Sequence, residues 1–268
     1  MRSVLLAATA VLAAGCAPAA FIPAPPPRVA PVAAVATGPY LDATTLERLG
    51  RETPLPPAVG SAEEAADRAG LAAFRVGDSH PRWTLAQTQA EISPALALAH
   101  FDCPLGTRLS QEPPPALTRL FSRALEDISA SARVAKARVF RARPFVDDPS
   151  VQTCIRVDET YRTNSSAPSS HATAGIVFGL IMADAAPDQR AELLRRGESI
   201  GESRLVCGLH YPADVEAGQA LGQTLFEAIS ATPAYQADIV QARRELAEAR
   251  ALGRTNPACA AERLALGG

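Results

Sequence analysis

The longest patterned stretch of the sequence runs from Pro115 to Arg141, where Leu117, Leu120, Phe121, Leu125 and Ile128 recur at helical spacing on one face. A proline opens it, and Arg143-Pro144 closes it, because the residue before a proline is pushed out of the α region. The same period returns in Ser61 to Phe74, Thr84 to Ile92, Pro94 to His100, Ala172 to Ala185, Pro187 to Glu198, Ala213 to Ile229 and Pro233 to Leu252. Alternation of period two is scarce. Aromatic residues are only 5% of a chain rich in Ala and Leu, a balance that favours helices over a β-sandwich. In 268 residues this pattern reads as all-α, with a single helical domain over residues 40–268.

The N-terminal end has a different character. Arg2 followed by the apolar run Val4 to Ala14 reads as a signal peptide over residues 1–16, too short to span a bilayer. Leu12-Ala13-Ala14-Gly15-Cys16 resembles a bacterial lipobox, in which Cys16 is lipidated and anchors the chain to a membrane. Ala17-Pro18-Ala19 offers an ordinary signal-peptidase site instead. Both readings export the protein, so the expected location is the periplasm, with a lipoprotein tether to the outer membrane if Cys16 is used. Residues 17–39 are Pro- and Ala-rich, cannot build a core and read as a semi-rigid tether. Past the signal peptide the longest apolar run, Ala174 to Ala183, is far too short to cross a membrane.

A net charge of −2 leaves no basic excess to suggest a nucleic acid partner. Apart from Cys16 the cysteines are Cys103, Cys154, Cys207 and Cys259. In an oxidising compartment they read as two disulfides, with all three connectivities open, or else as four buried thiols. No Cys/His spacing matches a zinc site, and the reading includes no metal and no cofactor. Of 26 basic residues, Lys136 is the one lysine among 25 arginines.

Three segments carry chemistry when taken together: Lys136 with Arg143-Pro144, then Pro168-Ser169-Ser170-His171, then Ser203-Arg204 with His210 and Asp214. Lys136, Arg143 and Arg204 are cations, and arginine's planar fork suits the oxygens of a phosphate. Ser169 and Ser170 open a helix, where backbone N–H groups and the helix dipole hold an anion. His210 and Asp214 are four residues apart, which reads as one helical turn with the carboxylate orienting the imidazole. His171 is then free to act as an acid. Alone, each segment is ordinary: a solvated basic helix face, a capped helix start, a surface hydrogen bond.

In this order and spacing, the segments resemble the tripartite signature of the type 2 phosphatidic acid phosphatase superfamily, K-x6-R-P, P-S-G-H and S-R-x5-H-x3-D. The similarity is greatest to bacterial class A non-specific acid phosphatases, through Arg141-Ala142-Arg143-Pro144-Phe145, Ile200 to Gly208 and the stretch opening Thr232-Pro233-Ala234. It runs from about Leu117 to Arg250 and is thinner before Pro115. The resemblance implies a helical acid phosphatase that hydrolyses small phosphate monoesters with broad specificity. It also implies that His210 becomes phosphorylated, Asp214 holds it and His171 protonates the leaving alkoxide. Lys136, Arg143, Arg204, Ser169 and the amide of Ser170 then hold the phosphate oxygens. Ser170 stands where the family has glycine, and Ala167 where an aromatic is usual, so substrate range is where divergence is expected.

Two other activities fit the signature: vanadium-dependent haloperoxidation, and a phosphate- or phospholipid-binding lipoprotein without catalysis. The class A similarity outside the signature argues against the first, and the complete set His171, His210 and Asp214 against the second. His80 and His100 read as surface or supporting residues, Trp83 as core and Asp147-Asp148 as a solvated loop. A homo-oligomer is compatible with the sequence, which leaves the oligomeric state open.

Overall fold

Prolines at first helical positions, and polar caps before them, set where many of the helices begin. Asp42 accepts the Thr45 amide, Ser61 the Glu64 amide and Thr232 the Tyr235 amide, while Pro81, Pro115, Pro212 and Pro233 occupy opening positions. The computed structural model describes residues 37–267; the signal peptide, Cys16 and the tether as far as residue 36 lie outside the described residues. The helices of about two turns or more are α1 (Ala43–Glu52), α2 (Ala62–Gly70), α3 (Pro81–Thr88), α4 (Pro115–Arg138), α5 (Ser170–Ala185), α6 (Arg190–Val206), α7 (Pro212–Ser230), α8 (Pro233–Ala251) and α9 (Cys259–Ala265). Shorter helical turns form at Pro94–Ala97, Asp102–Leu105, Pro144–Asp147 and Glu159–Thr163, and no strand forms among the described residues. The all-α expectation holds.

Several boundaries move for tertiary reasons. α4 stops at Arg138, and Val139 is extended at φ −155° and ψ 135°. Apolar periodicity continues through that point, but the Arg141 amide donates to Ser165 Oγ at 3.2 Å and the Arg141 carbonyl accepts from the Ser166 amide at 2.8 Å. Those bonds draw residues 139–143 out of the helix. α3 begins before Thr84 because His80 Nδ1 caps it, accepting the Arg82 amide at 3.0 Å. α6 runs well past Glu198, so Ser203 and Arg204 are helical. α1 and α9 were not anticipated; α1 is held by its Asp42 cap, and Cys259 at the start of α9 is bonded to Cys103.

α5 is the centre of the fold. It is buried along nearly its whole length, from Ala172 to Ala185, as expected of a helix that is apolar all round. α6 and α7 pack most extensively against it, and α4 and α8 complete the surround. Phe121 of α4 stacks on Phe178 of α5 with ring centroids 4.0 Å apart, and Phe101 meets Phe121 edge-on. α5 and α6 approach to backbone contact at Gly175 and Gly197. A Cβ on Gly197 would lie 2.4 Å from the Gly175 carbonyl oxygen, and one on Gly175 would lie 2.3 Å from that of Gly197. This crossing fixes the relation between the start of α5 and the end of α6, the two ends that carry His171 and Arg204.

Gly197→Ala forces the two backbones apart in a filled core, and we expect it to destabilise the protein by roughly 1–3 kcal/mol. Urea unfolding should show a lower midpoint with an unchanged slope; an unaltered midpoint would contradict the tight crossing.

Candidate active site

The three segments arrive from different parts of the fold. Lys136 sits in the last turn of α4, and Arg143 follows on the extended segment as the cap of Pro144–Asp147. The expected placement at the end of the long helix holds for Lys136 and is corrected for Arg143. Ser169 caps α5, with Ser170 and His171 in its first turn. Arg204 lies in the last turn of α6, and His210 follows in the connection to α7.

Lys136, Arg143, Ser170, His171, Arg204 and His210 line one cavity of about 280 Å³, together with Asp158, Thr160, Tyr161 and Asn164. Ser169 and Asp214 do not line it. Both are fully buried behind it, with the Ser169 hydroxyl turned to the Ala172 amide as the helix cap. Arg204 is also fully buried, and its Nε, Nη1 and Nη2 find no hydrogen-bond partner. A buried guanidinium without acceptors is costly by itself, and such a group at the wall of a cavity suits an anion. Lys136 Nζ donates to the Ser165 carbonyl at 2.6 Å and the Ser166 carbonyl at 3.3 Å.

Burial and the neighbouring cations act in one direction on the bases. Burial, with Arg143 beside it, pushes the Lys136 ammonium down to about 7. Burial also lowers Arg204 to about 10. His171 is held well below the usual histidine value by burial and then by Arg204, and His210 by burial and then by Arg143. Both imidazoles are therefore neutral near pH 7. Arg143 Nη1 lies 2.9 Å from His210 Nε2. Arginine only donates, so Nε2 accepts from Arg143 with its lone pair and the proton sits on Nδ1. His171 Nε2 lies 3.0 Å from the Ala90 carbonyl oxygen, which only accepts, so Nδ1 is the nitrogen left to exchange a proton.

The expected link between His210 and Asp214 takes a different form. His210 precedes α7 rather than lying on it, and Asp214 reaches back from the third helical position. Its Oδ2 is 3.6 Å from His210 Nδ1, beyond hydrogen-bond range. Ser166 stands between them. Its hydroxyl donates to Asp214 Oδ2 at 2.5 Å and lies 3.3 Å from His210 Nδ1. Asp214 also accepts the Tyr211 amide at 2.9 Å and Arg141 Nη1 at 2.7 Å, and Arg141 continues to Asp67 at 2.5 Å. Burial alone would raise Asp214, yet His210, Arg141 and Ser166 outweigh it and keep the carboxyl far below its ordinary value.

Sequence reading missed Ser166 and the role of Arg141. Arg141 stood inside a quoted stretch, but its partner Asp67 is distant in sequence, and nothing marks Ser166 from other loop serines. His100 is not a surface residue: it is buried with Nε2 on the Glu91 carbonyl at 2.6 Å. Trp83 is core, as read, whereas Asp147 is tied to Arg68 at 2.5 Å and to the Tyr211 hydroxyl at 2.9 Å. The cysteines pair as Cys103–Cys259 and Cys154–Cys207, the second joining the loop before Glu159–Thr163 to the end of α6. Among the described residues no three His, Cys, Asp or Glu side chains converge as a metal site, and no helix is long and apolar enough to cross a membrane.

Comparison with known proteins agrees with this geometry. Residues 116–237 match the model of the PAP2 superfamily, a span that holds all three segments. An acid phosphatase of Zymomonas mobilis is 34% identical over 200 residues, covering 75% of this chain and 76% of that protein. A non-specific acid phosphatase of Salmonella typhimurium is 33% identical over 62% of this chain and 67% of its own. One from Providencia stuartii is 28% identical over 73% of this chain and 79% of its own. With the signature residues gathered at one cavity and these relatives matched over most of their length, the chain belongs to the PAP2 superfamily, and its similarity lies with the acid phosphatases of that superfamily.

Proposed function

We propose that the protein hydrolyses phosphate monoesters of broad structure through a phosphohistidine on His210. The observation that carries this reading is the unprotonated Nε2 of His210, held by Arg143 at the wall of a cavity where Lys136, Arg143 and the unpartnered Arg204 converge. An ester's phosphate takes the place of the missing acceptors, with the amide of Ser170 at the start of α5 adding to the cationic cradle. Ser169 supports that cradle from behind as the cap.

In the first step Arg143 shifts its N–H hydrogen bond from Nε2 to a phosphate oxygen, Nε2 attacks phosphorus and the bond to the leaving oxygen breaks. His171 gives its Nδ1 proton to that oxygen, so alcohol leaves and a phosphoramidate remains. In the second step His171 takes a proton from water, the water oxygen bonds to phosphorus and the N–P bond breaks, restoring the lone pair. The positive charge that His210 acquires is carried through Nδ1–H to Ser166 and on to Asp214. Export to the periplasm is part of the same proposal, supported by the apolar N-terminus and two disulfides; lipidation of Cys16 is the further proposal that accounts for residues 17–39 as a tether.

Acidic operation follows from the shifts. His210, held well below its usual value, stays a neutral nucleophile as pH falls, while His171 gains its proton more readily once phosphate charge enters the cavity. Lys136, lowered to about 7, is charged below that pH and neutral above it. We expect kcat/KM to fall as pH rises through about 7, and Lys136→Arg, charged throughout, to move that limb upward; a limb unmoved by the substitution would remove Lys136 as its cause.

With p-nitrophenyl phosphate as substrate, His210→Ala should lower kcat by at least about 10³-fold, the scale of losing a nucleophile, and EDTA should leave the wild type active. Activity that survives the substitution, or that chelation abolishes, contradicts the mechanism. Ser166→Ala should lower kcat by roughly 10- to 100-fold, as loss of an orienting partner does, with KM little changed. A rise in KM at constant kcat would instead make Ser166 a binding group.

A further inference from the structure

A second groove, of about 520 Å³, opens from the catalytic cavity and shares Lys136, Asn164 and Ser170 with it. Its floor is one face of the end of α4 and the residues just after it. Ser129, Arg133 and Lys136 line it at spacings of four and three, positions that stack along a single helix face, and Phe140 joins them from just past the end of α4. Residues 163–165 form the opposite wall. His210, Arg143, Arg204 and His171 do not line it; it meets the cavity at Lys136, Asn164 and Ser170, the last being the chain neighbour of His171. That is the side on which the alcohol departs when His171 protonates it.

The lining has a definite chemistry. Arg133 and Lys136 are its charged groups and no acid faces it. Lys136 is engaged with the Ser165 and Ser166 carbonyls, whereas Arg133 is exposed and makes no ion pair among the described residues. Phe140 is 60% exposed, among the most exposed large apolar side chains of the described chain. A flat ring finds a partner on Phe140, and an anion on that ring finds Arg133, one helical turn from the lysine beside the phosphate.

We infer that this groove is the leaving-group subsite, and that it favours phosphate esters of flat, aryl-like alcohols bearing a second anionic group. The inference rests on the phosphatase reading and adds the substrate class. Ser170, where the family has glycine, stands at the junction and puts a hydroxyl between the two spaces.

The test compares phenyl phosphate, 4-carboxyphenyl phosphate and glycerol 2-phosphate on the full chain and on Arg133→Gln and Phe140→Ala. Neither residue belongs to the catalytic cavity. The wild type should prefer the carboxylated ester to phenyl phosphate by about 2- to 5-fold in kcat/KM, the scale of an exposed ion pair. Arg133→Gln should erase that preference and leave phenyl phosphate turnover unchanged. Phe140→Ala should lower kcat/KM for both aryl esters by about 2- to 5-fold relative to glycerol 2-phosphate, as loss of an aromatic contact does. A wild type without the preference, an Arg133→Gln variant that keeps it, or equal effects of Phe140→Ala on aryl and alkyl esters would overturn the subsite while leaving the phosphatase intact. Failure to hydrolyse any of the three esters would overturn the phosphatase reading and the subsite with it.

Discussion

The buried carboxylate of Asp214 is the point on which the cavity depends. A carboxylate with no solvent exposure is tolerable only when donors surround it, and here Arg141, Ser166 and the Tyr211 amide do so. Each donor comes from a different part of the chain, so satisfying one charge joins the segment after α4, the loop before α5 and the start of α7. The Asp214 backbone adds a fourth tie, accepting the Ser169 amide at 2.8 Å. Its place in the first turn of α7 also sets a negative charge against the positive end of the helix dipole. Remove the carboxylate and Arg141, Ser166 and the Tyr211 amide lose an acceptor at once, while His210 loses the anion behind its Nδ1 proton.

Cations meet on the opposite face of His210, and their balance gives the site its character. Burial lowers all three cations, and Arg143 lowers Lys136 and Arg204 further by repulsion. On the proposed function, an entering phosphate would relieve the repulsion and supply acceptors to Arg204. Lysine at position 136 also has a geometric reason. Its single nitrogen fits between the Ser165 and Ser166 carbonyls, where a planar fork would need more room. In a chain that otherwise uses arginine for every basic residue, that fit accounts for the lysine.

What the sequence revealed was what local rules govern. Apolar periodicity and proline at first positions placed α4, α5, α7 and α8 closely, and the three segments named the cationic and histidine lining of the cavity but not Asp158, Thr160, Tyr161 and Asn164. What it did not reveal depends on partners distant along the chain. The end of α4 is set by Ser165 and Ser166, whose bonds to Arg141 no local pattern announces. The spacing of His210 and Asp214 suggested a helical turn, but Pro212 starts the helix after the histidine, and the imidazole meets the carboxylate through Ser166 instead. Arg141 earned no role from sequence because its two carboxylates, Asp67 and Asp214, lie on separate helices.

The phosphorylated intermediate is the central claim, and its chemistry distinguishes it from phosphorylation of the serines nearby. The most direct measurement is an alkaline quench of the enzyme during turnover of a ³²P-labelled ester, followed by peptide mapping. Phosphohistidine survives alkali and is lost in acid, whereas phosphoserine behaves in the opposite way. The account predicts alkali-stable, acid-labile label on the peptide containing His210. Label on Ser166 or Ser170, or no label while ester is being hydrolysed and the intermediate's formation outpaces its breakdown, would contradict it.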